Sequence, residues 1–494
     1  MFESAELGHK VSKQDYAREE PALREGLLKA QYALLAKPAF QVIVLVGGVD
    51  GAGKSETVNL LNAWMDPRHI KTVAFGEPTD EESERPPMWR FWRALPPKGR
   101  IGILFGSWYS APIAGRVEKS LAGPAFLREI EEIRHFERML VAEGALILKF
   151  WFHLSKSAQK QRIAELEADS RTRWKVTQRD REHLQTYDRF RKVAEVVLRE
   201  TSTGEAPWTL VEGVDERYRA LATGNALLSA LQNRLKHPQA PLLPPPAPLP
   251  DRALLDGGRN VVNALDYGAR LEDKEYRARL SELQGRLAVS LRRAKFRKRS
   301  LILVFEGQDA AGKGSTIRRV TAALDARLYS IIPVAAPTEE ERAQPYLWRF
   351  WRQVPGKGRV MIFDRSWYGR VLVERVEKFA VEADWMRAYH EINQFEEEQV
   401  ENGAIVLKFW LAITKDEQLR RFKAREKIAF KSFKITGEDW RNRKKWLAYE
   451  EAVCDMVERT STAIAPWHLV PANDKQYARV EVLRAICDAL DQRL

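Results

Sequence analysis

The chain carries an internal repeat with one fixed offset, and this repeat constrains the fold more than any other feature. Gly48 corresponds to Gly307, which lies 259 residues further on (307 − 48 = 259). The same offset superimposes "WRFWR" at 89–93 on 348–352, "SWY" at 107–109 on 366–368, "KFW" at 149–151 on 408–410 and "APW" at 206–208 on 465–467. A register kept without a gap over this length indicates a duplication. The 494 residues therefore predict two domains of the same fold.

A proline-rich stretch, "KHPQAPLLPPPAPLPD" at 236–251, separates the two copies. Proline fixes φ and removes amide donors, so this stretch predicts an extended, semi-rigid connector without a core of its own. We therefore expect domains at 1–235 and 252–494. A ligand for a proline-recognition domain is the alternative interpretation, and a spacer is favoured over it.

Short apolar runs alternate with helical segments in each copy. In the second copy, "LILVFEG", "GRVMIFDRSWY", "GAIVLKFWLAIT" and "PWHLV" are typical of buried strands, and a helix is expected over 385–402 and another from Tyr477. This alternation predicts parallel sheets covered on both faces. The expected fold class is α/β, with two tandem P-loop three-layer α/β/α domains, each with a helical lid segment. Ligands are expected beyond the carboxyl ends of the strands.

Two glycine-rich loops stand at equivalent positions of the copies. "GVDGAGKS" at 48–55 is a complete phosphate-binding motif, whereas "GQDAAGKGS" at 307–315 has Gly314 where Ser or Thr is expected. Such glycines let backbone N–H groups wrap a phosphate at the start of a helix. We predict that Lys313 contributes to catalysis. The predicted phosphate-binding residues of this loop are Gly307, Gly312, Gly314 and Ser315.

Two aspartates of the second copy are candidates for catalysis and for holding Mg²⁺. The hydroxyl that is missing at position 314 normally helps to hold this ion, so other oxygens must replace it. Asp309 lies inside the loop, and Asp364 ends the strand "VMIFD". Two carboxylates and phosphate oxygens suit Mg²⁺, which binds few protein ligands. A turn residue and a helix cap are the alternative roles, and Asp309 could instead orient the acceptor.

Arginines and lysines cluster after these motifs. Arg365, Arg370 and Arg375 follow the strand, and Arg425, Lys427, Lys431 and Lys434 lie in a basic segment from 415 to 445. Guanidinium groups bind phosphate oxygens in pairs and neutralise transition-state charge. We assign Arg365 to catalysis, and Arg370, Arg375, Arg425 and Lys434 to substrate phosphate. Any one of these residues is as well explained as a solvated surface charge, whereas the cluster favours function.

Charge and composition narrow the partner and the compartment. A net charge of +13 favours a polyanionic partner. The N-terminus is polar, no apolar run approaches the ~18 residues of a membrane span, and two cysteines make no disulfide framework. A cytoplasmic protein without membrane contact is expected. The aromatic "WRFW" resembles a base-stacking platform, but core packing is favoured, so nucleic acid is not the expected partner.

These motifs together resemble the second polyphosphate kinase family. The resemblance rests on "GQDAAGKGS", "WRFWRQVPGKGRV", "FDRSWYGRVLVERV", "KFWLAITKDEQLRRF" and "SFKITGEDW", and it covers nearly all of both copies. It implies a P-loop domain with a helical lid that transfers phosphate between inorganic polyphosphate and a nucleotide with Mg²⁺. The tandem architecture is similar to that of the class that converts AMP to ADP.

The resemblance also implies roles for single residues. It assigns functions to Asp309, Lys313, Asp364, Arg365, Arg425 and Lys434. Phe433 stands before Lys434 where the family commonly has Trp.

The offset indicates that the loop with the complete motif, at 48–55 in the first copy, is the non-catalytic one. Asp364 maps onto Phe105 and Arg365 onto Gly106; Arg370, Glu374 and Arg425 map onto Ala111, Gly115 and Leu166. Without the second carboxylate and most of the cations, a loop can bind phosphate but should not transfer it well. We therefore expect 1–235 to be non-catalytic and to serve packing, assembly or polyphosphate tethering. Catalysis is expected in 252–494.

Alternatives to polyphosphate:AMP transfer remain at this point. They are an ATP-dependent nucleotide or nucleoside kinase of the same fold, a polyphosphate-dependent kinase acting on ADP, and a basic binding protein without turnover. A homo-oligomer is a further possibility, since inactive copies often serve assembly.

Overall fold

A computed structural model of the chain describes residues 1–238, 258–427 and 437–494. Most of the predicted connector and residues 428–436 of the basic segment, which include Lys431, Phe433 and Lys434, lie outside the described residues. The division into 1–235, 236–251 and 252–494 therefore stays a prediction, as does the phosphate-binding role of Lys434.

The first copy contains five strands and nine helices among its described residues. The strands are β1 Val42–Gly48, β2 Ile70–Ala74, β3 Ile101–Phe105, β4 Leu146–His153 and β5 Trp208–Glu212. The helices are α1 Lys13–Ala36, α2 Lys54–Trp64, α3 Asp80–Ser83, α4 Trp89–Ala94, α5 Ser110–Val117, α6 Gly123–Ala142, α7 Lys156–Ala168, α8 Gln178–Thr201 and α9 Glu216–Lys236. Short 3₁₀ turns span Phe2–Ala5, Pro67–His69 and Arg173–Lys175.

The described part of the second copy repeats this order. Its strands are β6 Ser300–Gly307, β7 Tyr329–Pro333, β8 Val360–Asp364, β9 Ala404–Ala412 and β10 Trp467–Pro471. Its helices are α10 Asp273–Ser290, α11 Lys313–Thr321, α12 Glu339–Arg342, α13 Trp348–Trp351, α14 Val373–Val376, α15 Glu382–Glu401, α16 Lys415–Glu426, α17 Gly437–Lys444, α18 Trp446–Thr460 and α19 Lys475–Arg493. Two 3₁₀ turns span Ala294–Lys298 and Trp367–Arg370.

Each copy forms one five-stranded, wholly parallel sheet, as the sequence predicted. The strand order is β2-β3-β1-β4-β5 in the first and β7-β8-β6-β9-β10 in the second. The central strand of each sheet leads into the glycine-rich loop. In the second sheet Phe305 lies beside Asp364, and Gly307 lies beside Leu411. This register brings the loop and Asp364 to the same carboxyl edge of the sheet.

Strand β9 shows why helices cover both faces. All nine of its residues are buried, and successive side chains of a strand point to opposite faces. Leu407 and Phe409 join the core formed by α10, α11 and α19. Lys408, between them, bonds Glu396 of α15 and the Thr460 carbonyl at the end of α18. The sheet is thus the middle of three layers, which confirms the predicted fold class.

A buried ion pair recurs in both copies behind the "SWY" and "KFW" motifs. Lys408 Nζ donates to Glu396 Oε2 at 2.7 Å, to the Tyr368 hydroxyl at 2.9 Å and to the Thr460 carbonyl at 2.6 Å. Trp367 Nε1 donates to the other oxygen of Glu396 at 3.0 Å. The first copy repeats this network with Lys149, Glu137, Tyr109, Thr201 and Trp108. The Lys408 ammonium thus has three acceptors, which compensate its buried charge.

The "WRFW" motif is also core. Trp348, Phe350 and Trp351 are 6%, 2% and 1% exposed, which confirms packing over base stacking. Both cysteines are free and buried. Among the described residues, no helix combines the length and apolarity that crossing a bilayer requires.

The chain divides into two compact units that exchange short segments between the copies. Among the described residues, one unit comprises 1–78, 90–238 and 337–348; the other comprises 79–89, 258–336, 349–427 and 437–494. Within the first unit, the Lys98 amide donates to the Ala343 carbonyl at 2.8 Å. Within the second, Arg85 Nε donates to the Val354 carbonyl at 3.1 Å. Each unit thus contains a short segment of the other copy.

Candidate active site

The loop of the second copy has the geometry of a phosphate cradle. Gly307 has φ +146°, and a Cβ there would lie 2.4 Å from the Leu411 carbonyl oxygen, so only glycine fits. Gly312 is left-handed and caps α11. Lys313 is the first residue of α11, and its Nζ donates to the Gly307 carbonyl at 2.6 Å. The Ser315 and Thr316 amides donate to the Gly312 carbonyl at 3.0 Å, and the N-terminal end of α11 favours an anion through its dipole.

Three described residues of the second copy other than glycine have left-handed backbone: Ala310, Arg365 and Lys378, the last of which corresponds to the left-handed Lys119 of the first copy. Ala310 and Arg365 each have φ +65°, whereas the first copy has Gly51 and Gly106 at the equivalent positions, with φ +80° and +74°. This conformation costs a residue with a Cβ of the order of 1 kcal/mol. The backbone of the second copy is therefore strained at Ala310 and Arg365, whereas the first copy avoids this strain with glycine at both positions.

Asp309 is held through both of its carboxylate oxygens. Oδ1 lies 3.2 Å from Arg365 Nη2, and Oδ2 accepts a hydrogen bond of 2.9 Å from Asn442 Nδ2. The Asp309 carbonyl accepts a further bond of 3.1 Å from Gln418. Helices α16 and α17, which follow β9, therefore reach back to the loop.

A basic cleft of about 840 Å³ opens over the loop. Most of the predicted site residues line it: Asp309, Gly312, Lys313, Gly314, Ser315, Asp364, Arg365 and Arg425. The hydroxyl of Ser315 donates to the Gly312 carbonyl at 2.9 Å, which occupies it within the loop. Gly307 lies beside the cleft in a second cavity.

Further cations of the cleft were missed from the sequence. They are Arg318, Arg420, Arg421, Lys475 and Arg479. Arg421 is 3% exposed and donates to the loop carbonyls of Ala310 and Ala311, so it braces the loop. Burial, with Arg421 and Arg425 nearby, lowers the pKa of Lys475 to about 8. The signal was present in the repeat, because Lys475 maps onto Glu216 and Arg479 onto Ala220.

Glu306 is a further buried carboxylate that the sequence reasoning missed. It ends β6 directly before the loop, and the Ser366 hydroxyl donates to its Oε1 at 2.8 Å. Burial raises the pKa of Glu306 and lowers that of Lys313. Burial would also lower the pKa of Arg365, but the charges of Asp309, Glu306 and Asp364 outweigh it and raise that pKa. The first copy has Gly47 at the Glu306 position.

A second cavity of about 100 Å³ adjoins the cleft. Its apolar and aromatic lining comprises Val262, Leu372, Val373, Trp410, Trp446, Tyr449 and Val453. Its polar lining includes Glu306, Gln308, Asn442 and Glu450. Asp309 and Arg365 border both the cavity and the cleft. An apolar chamber with a few polar groups is suited to a heterocyclic ligand, and it meets the basic cleft at these two residues.

The residues around the loop fit a divalent ion that is shared with substrate. Asp309 and Asp364 both line the cleft. Within residues 1–238, 258–427 and 437–494, no group of three or more His, Cys, Asp or Glu side chains is arranged to hold a metal. Two carboxylates form an incomplete set, which Mg²⁺ completes with phosphate oxygens and water.

Arg370 and Arg375 lie apart from these groups. Arg370 Nε is 3.0 Å from Glu374 Oε2, and Arg375 Nη1 donates to Asp455 Oδ2 at 2.7 Å. Arg375 also stacks on Trp385, 4.3 Å from the ring centroid. Neither arginine is among the described residues that line the cleft or the cavity. The phosphate-binding role predicted for them stays untested, and their ion pairs give them a structural role.

The first-copy loop is similar in backbone and different in surroundings. Lys54 Nζ donates to the Gly48 carbonyl at 2.6 Å and to Asp50 Oδ1 at 3.1 Å. Burial opposes ionisation of Asp50, but Lys54 and His183 outweigh it and hold the pKa of Asp50 below its usual range. A Cβ on Gly53 would lie 2.2 Å from Arg219 Cζ, whereas one on Gly312 would meet only Ser315, at 3.5 Å. The space beside Gly53 in the first loop is thus occupied by Arg219, whereas the equivalent space beside Gly312 in the second loop is open.

The comparisons with known proteins agree over the whole chain. The model of the family described as polyphosphate kinase 2 matches residues 10–239 and 270–494. A polyphosphate:AMP phosphotransferase of Pseudomonas aeruginosa is 56% identical over 492 residues, covering 99% of each chain. One from Pseudomonas syringae pv. tomato is 52% identical over 494 residues, covering 100% of this chain and 98% of that protein. A crystal structure assigned to polyphosphate kinase 2 from Pseudomonas aeruginosa has a TM-score of 0.89 at 53% identity, covering 100% of this chain and 99% of that one.

Proposed function

Because the chain belongs to the polyphosphate kinase 2 family, we propose that it transfers the terminal phosphate of inorganic polyphosphate to AMP and so forms ADP. The observation that carries the proposal is the junction at Asp309 and Arg365. There a basic cleft suited to a phosphate chain meets an apolar, aromatic cavity suited to a nucleotide. The AMP acceptor follows the names of the full-length relatives.

The cleft suits the donor. A polyphosphate chain has about one negative charge per phosphate, and the cleft offers Lys313, Arg318, Arg365, Arg420, Arg425, Lys475 and Arg479. Its terminal phosphate would rest on the N-terminus of α11 with Lys313 beside it. Arg365 would then face the point where charge develops on the transferred group, which is where a guanidinium lowers the barrier most.

The cavity suits the acceptor. Trp446 and Tyr449 offer flat surfaces for a base, and the AMP phosphate would then point toward Asp309 and Arg365. That phosphate is already anionic near neutral pH, so positioning carries most of the rate and no strong base is required. Asp309 and Asp364 are the residues that would hold Mg²⁺, whose chemistry there is neutralisation of charge on phosphate oxygens.

The first copy is proposed to be non-catalytic. Of the cations that line the second cleft, only Lys313 and Arg421 have basic counterparts, Lys54 and Arg162. Lys475 is replaced by Glu216, Asp364 by Phe105 and Arg365 by Gly106. The Arg219 guanidinium also fills the space beside Gly53. A cytoplasmic location and assembly into a homo-oligomer stay predictions.

The direct test incubates the full chain with AMP, polyphosphate and Mg²⁺ without ATP, and follows ADP by chromatography. ADP formation is expected, and it should stop when Mg²⁺ is chelated. ATP in place of polyphosphate tests the nucleotide-kinase alternative, and ADP in place of AMP tests the other acceptor. Turnover with ATP alone would overturn the proposal.

A paired substitution tests which copy acts. Asp364→Asn should lower kcat at least 100-fold, because it removes one of two carboxylates that the mechanism uses. Lys54→Ala, the matched change in the first copy, should keep kcat within about twofold. The reverse pattern would assign catalysis to the first copy.

A further inference from the structure

The loop lysines of the two copies have the same backbone partner and different carboxylate partners. Lys54 and Lys313 each donate to the carbonyl of the first loop glycine at 2.6 Å. Lys54 also pairs with Asp50 at 3.1 Å. Among the described residues, the only other hydrogen bond of Lys313 is to the Gln308 carbonyl, at 3.4 Å. The charge of Lys313 is therefore free of the neutralising contact that Lys54 has.

The difference lies in what holds the loop aspartate. Asp309 has Arg365 on one oxygen, at 3.2 Å, and Asn442 on the other, at 2.9 Å. Asp50 has His183 at the Asn442 position, at 2.5 Å from Oδ2, but Gly106 stands where Arg365 would be. With one oxygen unclaimed, Asp50 turns it to Lys54. With both oxygens claimed, Asp309 does not reach Lys313.

Asn442 is itself fixed. The Tyr449 hydroxyl donates to Asn442 Oδ1 at 3.2 Å. Only the NH₂ group of an amide can face a carboxylate, so both contacts require the same orientation of the side chain. Asn442 lies on α17 and Tyr449 on α18. The contacts that hold Asp309 on this side thus come from helices that lie between β9 and β10 along the chain.

We propose that Asn442 is a positioning residue that, with Arg365, keeps Asp309 away from Lys313 so that the lysine charge is available to a phosphate donor. Without Asn442, Oδ2 of Asp309 loses its partner and turns to Lys313, just as Oδ1 of Asp50, for which Gly106 replaces the arginine partner, turns to Lys54. The inference rests on the proposed function only for the identity of the donor.

The test measures phosphate binding apart from transfer. In the full chain, the dissociation constant of tripolyphosphate is measured by calorimetry without nucleotide for wild type, Asn442→Ala and Asn442→His. Asn442→Ala should bind about tenfold more weakly, because a charge-assisted hydrogen bond is lost and the lysine is neutralised. Asn442→His, which introduces the first-copy residue with a ring N–H donor, should recover most of the affinity.

Steady-state kinetics separate positioning from other roles. The KM for polyphosphate should rise about tenfold in Asn442→Ala, which is more than the rise in the KM for AMP, whose cavity Asn442 also lines. The matched control is Asn393→Ala, whose amide bonds the Arg459 carbonyl at 2.9 Å; tripolyphosphate binding should be unchanged.

Three outcomes overturn the inference. Unchanged tripolyphosphate binding in Asn442→Ala would show that Asp309 needs no holding. A rise in the KM for AMP alone would make Asn442 a ligand of the acceptor, since it borders the cavity. Equal loss in Asn442→Ala and Asn442→His, with lowered Tm, would show a merely structural role. Failure of the wild type to phosphorylate AMP would refute the proposed function and leave this binding comparison valid.

Discussion

At the scale of single residues, Lys475 should make polyphosphate binding in the cleft depend on pH. Burial and the neighbouring guanidinium groups of Arg421 and Arg425 lower its pKa to about 8. The side chain is charged below this pH and neutral above it, so polyphosphate should bind less tightly as pH rises from 7 to 9. The expected loss is about fivefold, equivalent to ~1 kcal/mol for one partly exposed contact. Calorimetry with tripolyphosphate at both pH values measures it.

The control for this prediction is Lys475→Arg, which stays charged over the range. Ionisation of the ligand affects both proteins equally, so the difference between them isolates Lys475. The arginine variant should lose the additional fivefold decline. Identical pH profiles for the two proteins would show that Lys475 does not titrate in this window or does not face the donor.

At the same scale, the sequence predicted residues whose chemistry is local and missed those whose role depends on distant elements. Asp309, Lys313 and Asp364 were found because a loop and a strand end place them. Asn442 lies 133 residues from Asp309 along the chain, and no short motif encodes that contact. Lys475 and Glu306 carried a usable signal, because the repeat offset replaces them by Glu216 and Gly47.

At the scale of elements, the buried pair of Lys408 on β9 and Glu396 on α15 predicts a large loss of stability on single substitution. Lys408→Met would leave Glu396, which is 1% exposed, without its counter-charge. The expected cost is about 3–5 kcal/mol, seen as a lowered Tm by calorimetry. The double variant Lys408→Met/Glu396→Gln removes both charges and should lose less. Equal losses would contradict a coupling through the pair.

Element boundaries were predictable where periodicity and stop signals coincide. The helix expected over 385–402 spans Glu382–Glu401, and Gly403 follows it with φ +92°. The last helix begins at Lys475 rather than at Tyr477, because Asp474 caps it by accepting a hydrogen bond of 2.7 Å from the Tyr477 amide. Asp474 is a local capping signal, but the predicted start at Tyr477 did not use it.

At the scale of the whole molecule, the duplication predicted two sheets but not the compact units. Repeat comparison aligns each segment with its twin, so it cannot show that Thr79–Trp89 packs in the unit of the second copy and Pro337–Trp348 in that of the first. These contacts are long-range, such as Arg85 to the Val354 carbonyl. They leave no periodicity in the sequence.

This exchange predicts that the second copy is destabilised when it is produced alone. Residues 258–494 by themselves lack Thr79–Trp89, including the 3%-exposed Trp89. Loss of a buried aromatic residue and its hydrogen-bonded neighbours costs about 3–5 kcal/mol. The isolated copy should therefore melt at a lower Tm than its transition in the full chain. The matched control is the full chain cleaved by a protease site inserted within 239–257, which keeps every exchanged segment present. Its Tm should stay within a few degrees of the Tm of the intact chain.

An isolated second copy as stable as the intact protein would show that the exchanged segment contributes little to stability.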